Sequence, residues 1–368
     1  MPDYWKLQMD HSTLRDCIPV LASKPINEVR YGAMRAFIRG FVILILGLLA
    51  GAIYERVGIQ RDQKQLPRVG QAVDIGGRSL NINCSGSGSP SVILDTGGSA
   101  PGYSNMPLQK LISNETRTCW FDRAGLGWSD PSPTAQTSAM IAADLHKVLR
   151  GAKIDPPYIL LGQSFSGFDV RVFTKAYPSE VAGVVLLDSV QEDQQQYEPR
   201  STLAPVKRLP AALQGVLCRA VPLAANVGLI RLLISLSGTD RRVPPGFTPS
   251  EAAILRGLES QPKAVVASSG CRSWEKSAGE ARAAGSLGNV PLLVLTAGRP
   301  LTMGDTAEDR EIQEFHEIWV HQLQPRLAAL STRGKQVIVE NSTHGIAGDM
   351  PSAAGDAVHQ LLFEARRR

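Results

Sequence analysis

The segment Tyr158–Gly167, YILLGQSFSG, carries the clearest chemical signal in the chain. A short apolar run ends at Gly162, a single serine, Ser164, follows, and the chain resumes with the small residues Ser166 and Gly167. This layout is typical of a nucleophile elbow, in which a buried strand turns sharply into a helix with the serine at the apex. The start of that helix offers backbone N–H groups that can stabilise an oxyanion. The pattern therefore predicts acyl-transfer chemistry at Ser164.

The flanking sequence distinguishes this prediction from a chance match. YILLG before the serine is typical of a buried strand, and FDVRVFTKA after it is compatible with a helix that Pro178 would close. The common elbow has glycine two residues after the nucleophile, where this chain has Ser166. Serine is small enough for such a turn, so we treat the departure as tolerated.

The elements that must position Ser164 alternate along the chain. Continuous apolar runs such as PSVILD, VAGVVLLD and VPLLVLTAG are separated by helical stretches, including residues 308–330 and 351–365. This alternation predicts an α/β protein with a mostly parallel sheet covered by helices on both faces. QAVDIGG and RSLNINC predict a hairpin around Gly76-Gly77. The glycines of SGSGSP match no dinucleotide-binding pattern, because no helix follows them.

Composition narrows the possible functions. The 368 residues are 43% hydrophobic and carry a net charge of +5, which fits a folded chain with a substantial core. No basic stretch is interleaved with aromatic residues, so we expect no nucleic-acid partner. No spacing of Cys and His typical of a zinc site occurs, and no motif implies a cofactor or a metal.

An unbroken apolar run, GFVILILGLLAGAIY, occupies residues 40–54. One interpretation is an uncleaved signal-anchor over 40–56, with 1–39 in the cytoplasm and the membrane contacted through 37–56. The other is a signal peptide cleaved at Ala50-Gly51-Ala52, with translation starting at Met34. The first predicts a membrane-anchored protein whose catalytic domain lies outside the cytoplasm, and the second a secreted one. In both cases residues 57–70 are expected to form a linker.

Cysteine usage supports export. Cys17 precedes the apolar run, and an even number of cysteines follow it, as disulfides require: Cys84, Cys119, Cys218 and Cys271.

Three further motifs, with the order of the elements, show a resemblance to a known family. Asp122–Ser129, DRAGLGWS, resembles the D-x-x-G-x-G-x-S turn of the α/β-hydrolase superfamily, and LDTGG at 94–98 stands where that family has its oxyanion loop. STHG at 342–345 lies near the end of the chain, where the family has its catalytic histidine, and it contains His344. The resemblance covers nearly all of residues 70–365. It implies the α/β-hydrolase fold: an eight-stranded, mostly parallel sheet with a core over 71–190 and 289–368, and a helical lid at 191–288 between strands six and seven.

The resemblance also implies roles for particular residues. His344, after the last strand, matches the general base that a serine nucleophile needs, whereas the other histidines fit surface or packing positions. The acid that orients it stays open between Asp305, after strand seven, and Asp188, at the end of strand six; we favour Asp305. The N–H groups of Phe165 and Gly98 are expected to form the oxyanion hole.

Cysteine pairing follows from the same resemblance. In this fold strand two pairs with strand four, which predicts a Cys84–Cys119 disulfide. Cys218 and Cys271 both fall in the lid and could bridge it.

The expected function is that of a serine hydrolase cleaving a carboxylic ester or related acyl bond of a small, hydrophobic substrate. Two alternatives stay open. The same triad could carry out acyl transfer, perhydrolysis or C–C hydrolysis, or the chain could be a non-catalytic binding module of this fold. Epoxide hydrolysis and haloalkane dehalogenation are disfavoured, because the resemblance would then require Asp at position 164.

Overall fold

The computed structural model describes residues 26–98, 100–202, 208–237, 242–268 and 274–367. The chain divides into two compact units, residues 1–50 and 51–368.

The N-terminal apolar run lies within one helix, α1, which extends from Ile26 to Gln65. Its part from Met34 to Gln65 has a mean hydropathy of 2.4 over its most apolar window, and none of that window is buried. The helix is therefore long and apolar enough to cross a membrane. It also continues through residues 57–65, so most of the segment predicted as a linker is helical and only residues 66–70 lie between α1 and the first strand.

The second unit is built on one sheet of eight strands, in the spatial order β1-β2-β4-β3-β5-β6-β7-β8. The pairs β1–β2 and β2–β4 are antiparallel, and every other neighbouring pair is parallel. This confirms the predicted fold class. The strands are β1 (Gln71–Asp74), β2 (Ser79–Ser85), β3 (Ser91–Asp95), β4 (Thr118–Phe121), β5 (Tyr158–Gln163), β6 (Val181–Leu187), β7 (Leu292–Ala297) and β8 (Gly334–Val339).

Helices follow most of the strands, and those between β6 and β7 form the region predicted as the lid. After α1 they are α2 (Met106–Ile112), α3 (Ser138–Gly151), α4 (Ser166–Ala176), α5 (Ala211–Asn226), α6 (Leu229–Leu236), α7 (Pro249–Glu259), α8 (Pro262–Ser268), α9 (Trp274–Ala284), α10 (Ala307–Ile318), α11 (Gln324–Ala328), α12 (Ile346–Asp349) and α13 (Pro351–Arg366). The helix predicted over 308–330 is interrupted by a π-helical turn, Trp319–Leu323.

The sheet is buried on both faces, which explains why its central strands are apolar without alternation. Successive residues of β5 enter opposite cores: Leu160 packs in one, and Ile159 and Leu161 in the other. Helices α3, α4 and α11 cover the first face, and α2, α7 and α13 cover the second. Because β3 to β8 run parallel, they end at one common edge of the sheet, where the loops that follow them can meet.

The structure contains the predicted cross-strand disulfide. Cys84 of β2 lies directly opposite Cys119 of β4, and the two are bonded. Cys218 in the lid is also disulfide-bonded. Cys271 lies outside the described residues, so its pairing with Cys218 stays a prediction.

Candidate active site

Ser164 occupies the turn between β5 and α4, with a left-handed backbone (φ +53°) that side chains other than glycine rarely adopt. Two backbone hydrogen bonds to the neighbouring strand end hold this conformation. The Ser164 N–H donates to the carbonyl of Leu187 (3.0 Å), and the Ser164 carbonyl accepts from the N–H of Val190 (3.1 Å). These hydrogen bonds at the edge of the sheet therefore hold Ser164 in its strained conformation, as expected of a nucleophile elbow.

The small residues around Ser164 are required by close backbone approaches. A Cβ at Gly162 would lie 2.8 Å from the carbonyl oxygen of Ser166, and one at Gly167 would lie 2.5 Å from Cβ of Ser189. The Ser166 hydroxyl lies 2.9 Å from the carbonyl oxygen of Asp95 at the end of β3. Serine therefore replaces the usual glycine here without crowding the turn, and it links the elbow to the neighbouring strand.

His344 lies in the loop between β8 and α12, with Nε2 at 3.0 Å from the Ser164 hydroxyl oxygen. Asp349 shapes that loop by accepting hydrogen bonds from the N–H and the hydroxyl of Thr343 (2.9 and 2.6 Å). The imidazole thus faces the serine at the distance that proton transfer needs.

Asp188, not Asp305, lies beside His344. Its Oδ2 is 2.6 Å from His344 Nδ1, and its side chain is buried. Asp188 follows β6 in a left-handed conformation (φ +41°), which turns its side chain toward the histidine loop. Asp305 is exposed near the start of α10, where its carbonyl accepts a hydrogen bond from Arg310 (2.9 Å). The structure therefore brings Asp188, and not the favoured Asp305, into contact with His344.

The second carboxylate oxygen of Asp188 accepts two hydrogen bonds. The N–H of Ala297, at the end of β7, donates to Oδ1 over 2.9 Å, and the indole N–H of Trp319 donates to the same atom over 2.8 Å. Both donors fix the plane of the carboxylate. Oδ2 is therefore aimed at His344.

Burial and the carboxylate act in opposite directions on the pKa of His344. Burial acts to lower it, and the hydrogen bond and negative charge of Asp188 outweigh burial, so the pKa is raised from its ordinary value of 6.5. The pair is suited to a base that takes up a proton, because the imidazolium that results is stabilised by Asp188.

The loop expected to complete the oxyanion hole lies against the nucleophile. A Cβ at Gly97 would be 2.6 Å from Cβ of Ser164, so only glycine fits there. Gly98 has φ +53°, and its carbonyl accepts a hydrogen bond from Arg123 Nη2 (2.8 Å). The side chain of Arg123 is 1% exposed and also lies 3.4 Å from a carboxylate oxygen of Asp169 in α4. This buried guanidinium ties the loop after β3 to the helix that follows Ser164.

A cavity of about 290 Å³ opens in front of Ser164 and His344. Its lining includes the side chains of Trp274 from α9, Phe315 from α10 and Trp319. His316, for which the sequence analysis expected a surface or packing position, also lines it, as do the charged residues Glu198 and Arg299. The cavity therefore offers an apolar surface with a few polar groups, as expected of a small-molecule site.

A larger cavity, of about 660 Å³, lies away from this site. It is enclosed by residues 55–68, 124–136, 218–231 and 261–267, and none of its lining residues lines the Ser164 cavity. Its size does not make it the candidate reactive centre, because Ser164 and His344 line the smaller cavity. Within the described residues, no three His, Cys, Asp or Glu side chains are grouped to hold a metal ion.

Two residues of the site escaped the sequence analysis. Trp319 stands in a helical stretch where an aromatic residue is ordinarily a packing residue, and nothing local marks it as a partner of Asp188. Arg123 lies inside the DRAGLGWS motif, next to Asp122, but the sequence analysis gave it no role. An arginine directly after a buried strand is a usable signal, because it requires nearby carboxylates or carbonyls.

Comparison with known proteins agrees with this geometry. A family model described as alpha/beta hydrolase fold matches residues 90–239, which include Ser164 and Asp188. The chain has the α/β-hydrolase fold. An esterase from Thermogutta terrifontis superimposes with a TM-score of 0.51 at 18% identity, covering 80% of this chain and 98% of the esterase. A bromoperoxidase from Bacillus anthracis gives a TM-score of 0.54 at 16% identity, covering 79% of this chain and 99% of the bromoperoxidase.

Among curated proteins, the uncharacterized protein YbdG of Bacillus subtilis is 27% identical over 154 residues, or 41% of this chain. The matched segment spans 47% of YbdG, so this chain aligns with about half of that relative's length. The structural likenesses are at low identity, and they establish the fold rather than the substrate.

Proposed function

We propose that the protein is a serine hydrolase that cleaves a carboxylic ester through an acyl-enzyme on Ser164. The observation that carries the proposal is the continuous hydrogen-bonded relay from Ser164 through His344 to Asp188, with distances of 3.0 and 2.6 Å. Nucleophile, base and acid follow one another in space with the base oriented by the acid, which is the arrangement that activates a serine hydroxyl.

In the proposed reaction, Ser164 Oγ attacks the ester carbonyl carbon while its proton moves to His344 Nε2. The carbonyl oxygen becomes an oxyanion, which the N–H groups of Phe165 and Gly98 stabilise. Collapse of this intermediate breaks the bond to the alcohol oxygen, and His344 returns the proton to the leaving alcohol. Water then attacks the carbonyl carbon of the acyl-enzyme while His344 takes up its proton. Collapse of this second intermediate breaks the bond to Ser164 Oγ, His344 returns the proton to that oxygen, and the acid is released.

The cavity favours a substrate of modest size. A volume of about 290 Å³ lies at the lower end of the range for small-molecule sites. The aromatic rings of Trp274, Phe315 and Trp319 would bury an apolar acyl or alcohol group, while Arg299 and Glu198 are available for a polar substituent. Short- to medium-chain esters therefore fit the site better than long-chain ones.

We further propose that helix α1 anchors the protein in a membrane, with the catalytic unit on the side where disulfides form. The Cys84–Cys119 bond and the disulfide at Cys218 support this side, since such bonds persist mainly outside the cytoplasm.

The test uses the full chain in detergent with p-nitrophenyl esters of increasing acyl length and a fluorophosphonate probe. We expect hydrolysis and covalent labelling in the wild type and the loss of both in Ser164→Ala. Ser166→Ala is the matched control, because the Ser166 hydroxyl donates to the backbone carbonyls of Asp95 and Gln163 rather than to His344, and this variant should still be labelled. If the folded wild-type chain is neither active nor labelled, the hydrolase proposal fails and a non-catalytic binding module takes its place. Labelling without ester hydrolysis would favour acyl transfer or another reaction of the same triad.

A further inference from the structure

The short lid helix α6, Leu229–Leu236, exposes a row of leucines. Leu229, Leu232, Leu233 and Leu236 are 47%, 46%, 53% and 74% exposed, and their spacing of three, four and seven residues puts them on one helix face. None of the residues of α6 is buried. Four large apolar side chains on one face of an eight-residue helix form a patch that water solvates poorly.

The preceding helix α5 extends this patch. Its exposed side chains Leu213, Val216 and Leu223 also share one face, and they are 44%, 58% and 66% exposed. Helices α5 and α6 meet at an angle of 84°, and together they are apolar enough to enter a membrane. Helix α6 is only about 12 Å long at 1.5 Å per residue, which is too short to cross a bilayer core of about 30 Å. The pair is therefore built to lie in a bilayer surface rather than to span it.

Helix α6 packs on the C-terminal part of α1, within the same compact unit. Gly228, which begins α6 with φ +71°, packs so closely on α1 that a Cβ there would be 2.6 Å from the carbonyl oxygen of Gly51 and 2.9 Å from Tyr54. Gly51 and Tyr54 belong to the apolar run that ends at residue 54. Helix α6 thus starts beside the last apolar turn of the helix that is able to cross the membrane.

The one charged residue of α6 is neutralised by α1. Arg231 binds Glu55 through two hydrogen bonds (2.9 and 3.0 Å) and Asp62 through a third (2.9 Å). These acids are the first that follow the apolar run, so the ion cluster lies at the level where α1 becomes polar. The cluster fixes α6 to α1 and pairs the only charged side chain of α6.

The charge of the surrounding sequence points to anionic lipid. Between residues 200 and 247 there is one acidic residue, Asp240, and besides the ion-paired Arg231 there are six basic ones: Arg200, Lys207, Arg208, Arg219, Arg241 and Arg242. Basic residues around an apolar helix face are typical of interfacial helices, because they add attraction to lipid phosphates. We infer that α5 and α6 insert their leucine-rich face into the surface of an anionic bilayer, beside helix α1. This inference does not depend on the proposed chemistry.

The test places the photo-crosslinking residue p-benzoylphenylalanine at position 233 of the full chain. The protein is reconstituted in nanodiscs of phosphatidylcholine and phosphatidylglycerol, irradiated, and examined by mass spectrometry and denaturing electrophoresis. The matched control carries the same residue in place of Val337, which is 47% exposed on β8, at the opposite edge of the sheet from β1. Position 233 is itself exposed, so neither substitution should disturb folding.

We expect a phospholipid adduct at position 233 and none at position 337. The Ser164→Ala chain should give the same result, which separates this inference from the hydrolase proposal. A chain–chain dimer formed through position 233 would assign the leucine face to a second copy of the protein and overturn the inference. The absence of any lipid adduct at position 233 would overturn it as well.

Discussion

The indole of Trp319 donates a hydrogen bond to Asp188 across 2.8 Å, from the first residue of a π-helical turn. The turn accommodates an extra residue between α10 and α11, a device that is frequent at functional sites because it redirects one side chain out of helical register. Here it directs Trp319 toward the acid at the end of β6. The candidate site thus depends on an irregular helix as well as on the strand ends.

Replacing Trp319 with phenylalanine removes that donor and keeps most of the ring. We expect kcat to fall roughly 10- to 100-fold, because a hydrogen bond to a charged group contributes about 1.5–3 kcal/mol. Steady-state kinetics on a short-chain p-nitrophenyl ester measures the change. Trp274→Phe is the control, since Trp274 also lines the cavity. Equal losses in both variants would show that packing, rather than the bond to Asp188, matters.

Asp188→Asn should reduce kcat by about 10,000-fold, because an amide cannot stabilise the imidazolium and favours the wrong tautomer of His344. Asp305→Asn, the matched change at the other candidate, should leave the rate near that of the wild type. Both rates come from the same ester assay, with circular dichroism to confirm folding. A large loss in Asp305→Asn would restore that residue as the acid.

The pH dependence of kcat/KM follows from the raised pKa of His344. The base must be neutral to accept the proton of Ser164, and raising its pKa keeps it protonated to higher pH. Activity should therefore rise with pH through an apparent pKa above 6.5. Removing the negative charge in Asp188→Asn leaves burial as the main influence, so the residual activity of that variant should titrate at lower pH than the wild type. A profile with its midpoint below 6.5 in the wild type would contradict this account.

Arg123→Lys retains the positive charge but loses the planar fork that reaches the carbonyl of Gly98. We expect kcat to fall by as much as roughly 100-fold, the effect of losing one oxyanion donor, with little change in KM. Arg171→Lys is the control, because Arg171 is equally buried but binds Glu192 instead. Both variants should lose stability, so only the difference between their kcat values reports on the oxyanion loop.

The Cys84–Cys119 bond closes a loop with a sequence separation of 35 residues. Its loss should lower the free energy of unfolding by about 4 kcal/mol, from the loop entropy released in the unfolded chain. Denaturant unfolding of the Cys84→Ala/Cys119→Ala double variant measures this. The bond joins strands at the antiparallel end of the sheet, so the remaining folded fraction should stay active. Unchanged stability would mean that the unfolded chain is already constrained there.

The sequence was sufficient to predict the sheet, the elbow and the pairing of Cys84 with Cys119, because each rests on a local pattern combined with a known order of strands. It was not sufficient to choose between Asp188 and Asp305. Both follow parallel strands at the same sheet edge, and the choice depends on the left-handed backbone of Asp188. The sequence does not indicate that conformation, because no glycine adjoins Asp188. The interruption of the helix at Trp319 was missed for a similar reason, since a π-helical turn leaves the apolar pattern of its helix nearly unchanged.

The ion cluster of Arg231 with Glu55 and Asp62 lies on the C-terminal side of Ala50-Gly51-Ala52. A protease that cut after Ala52 would remove the hydrophobic anchor and spare the cluster, so the shortened chain would keep α6 attached to the remainder of α1. Its attachment to lipid would then change from permanent to exchangeable. Salt and the content of acidic lipid would set how much of the protein leaves the bilayer, and one gene product could supply both a resident and a released form.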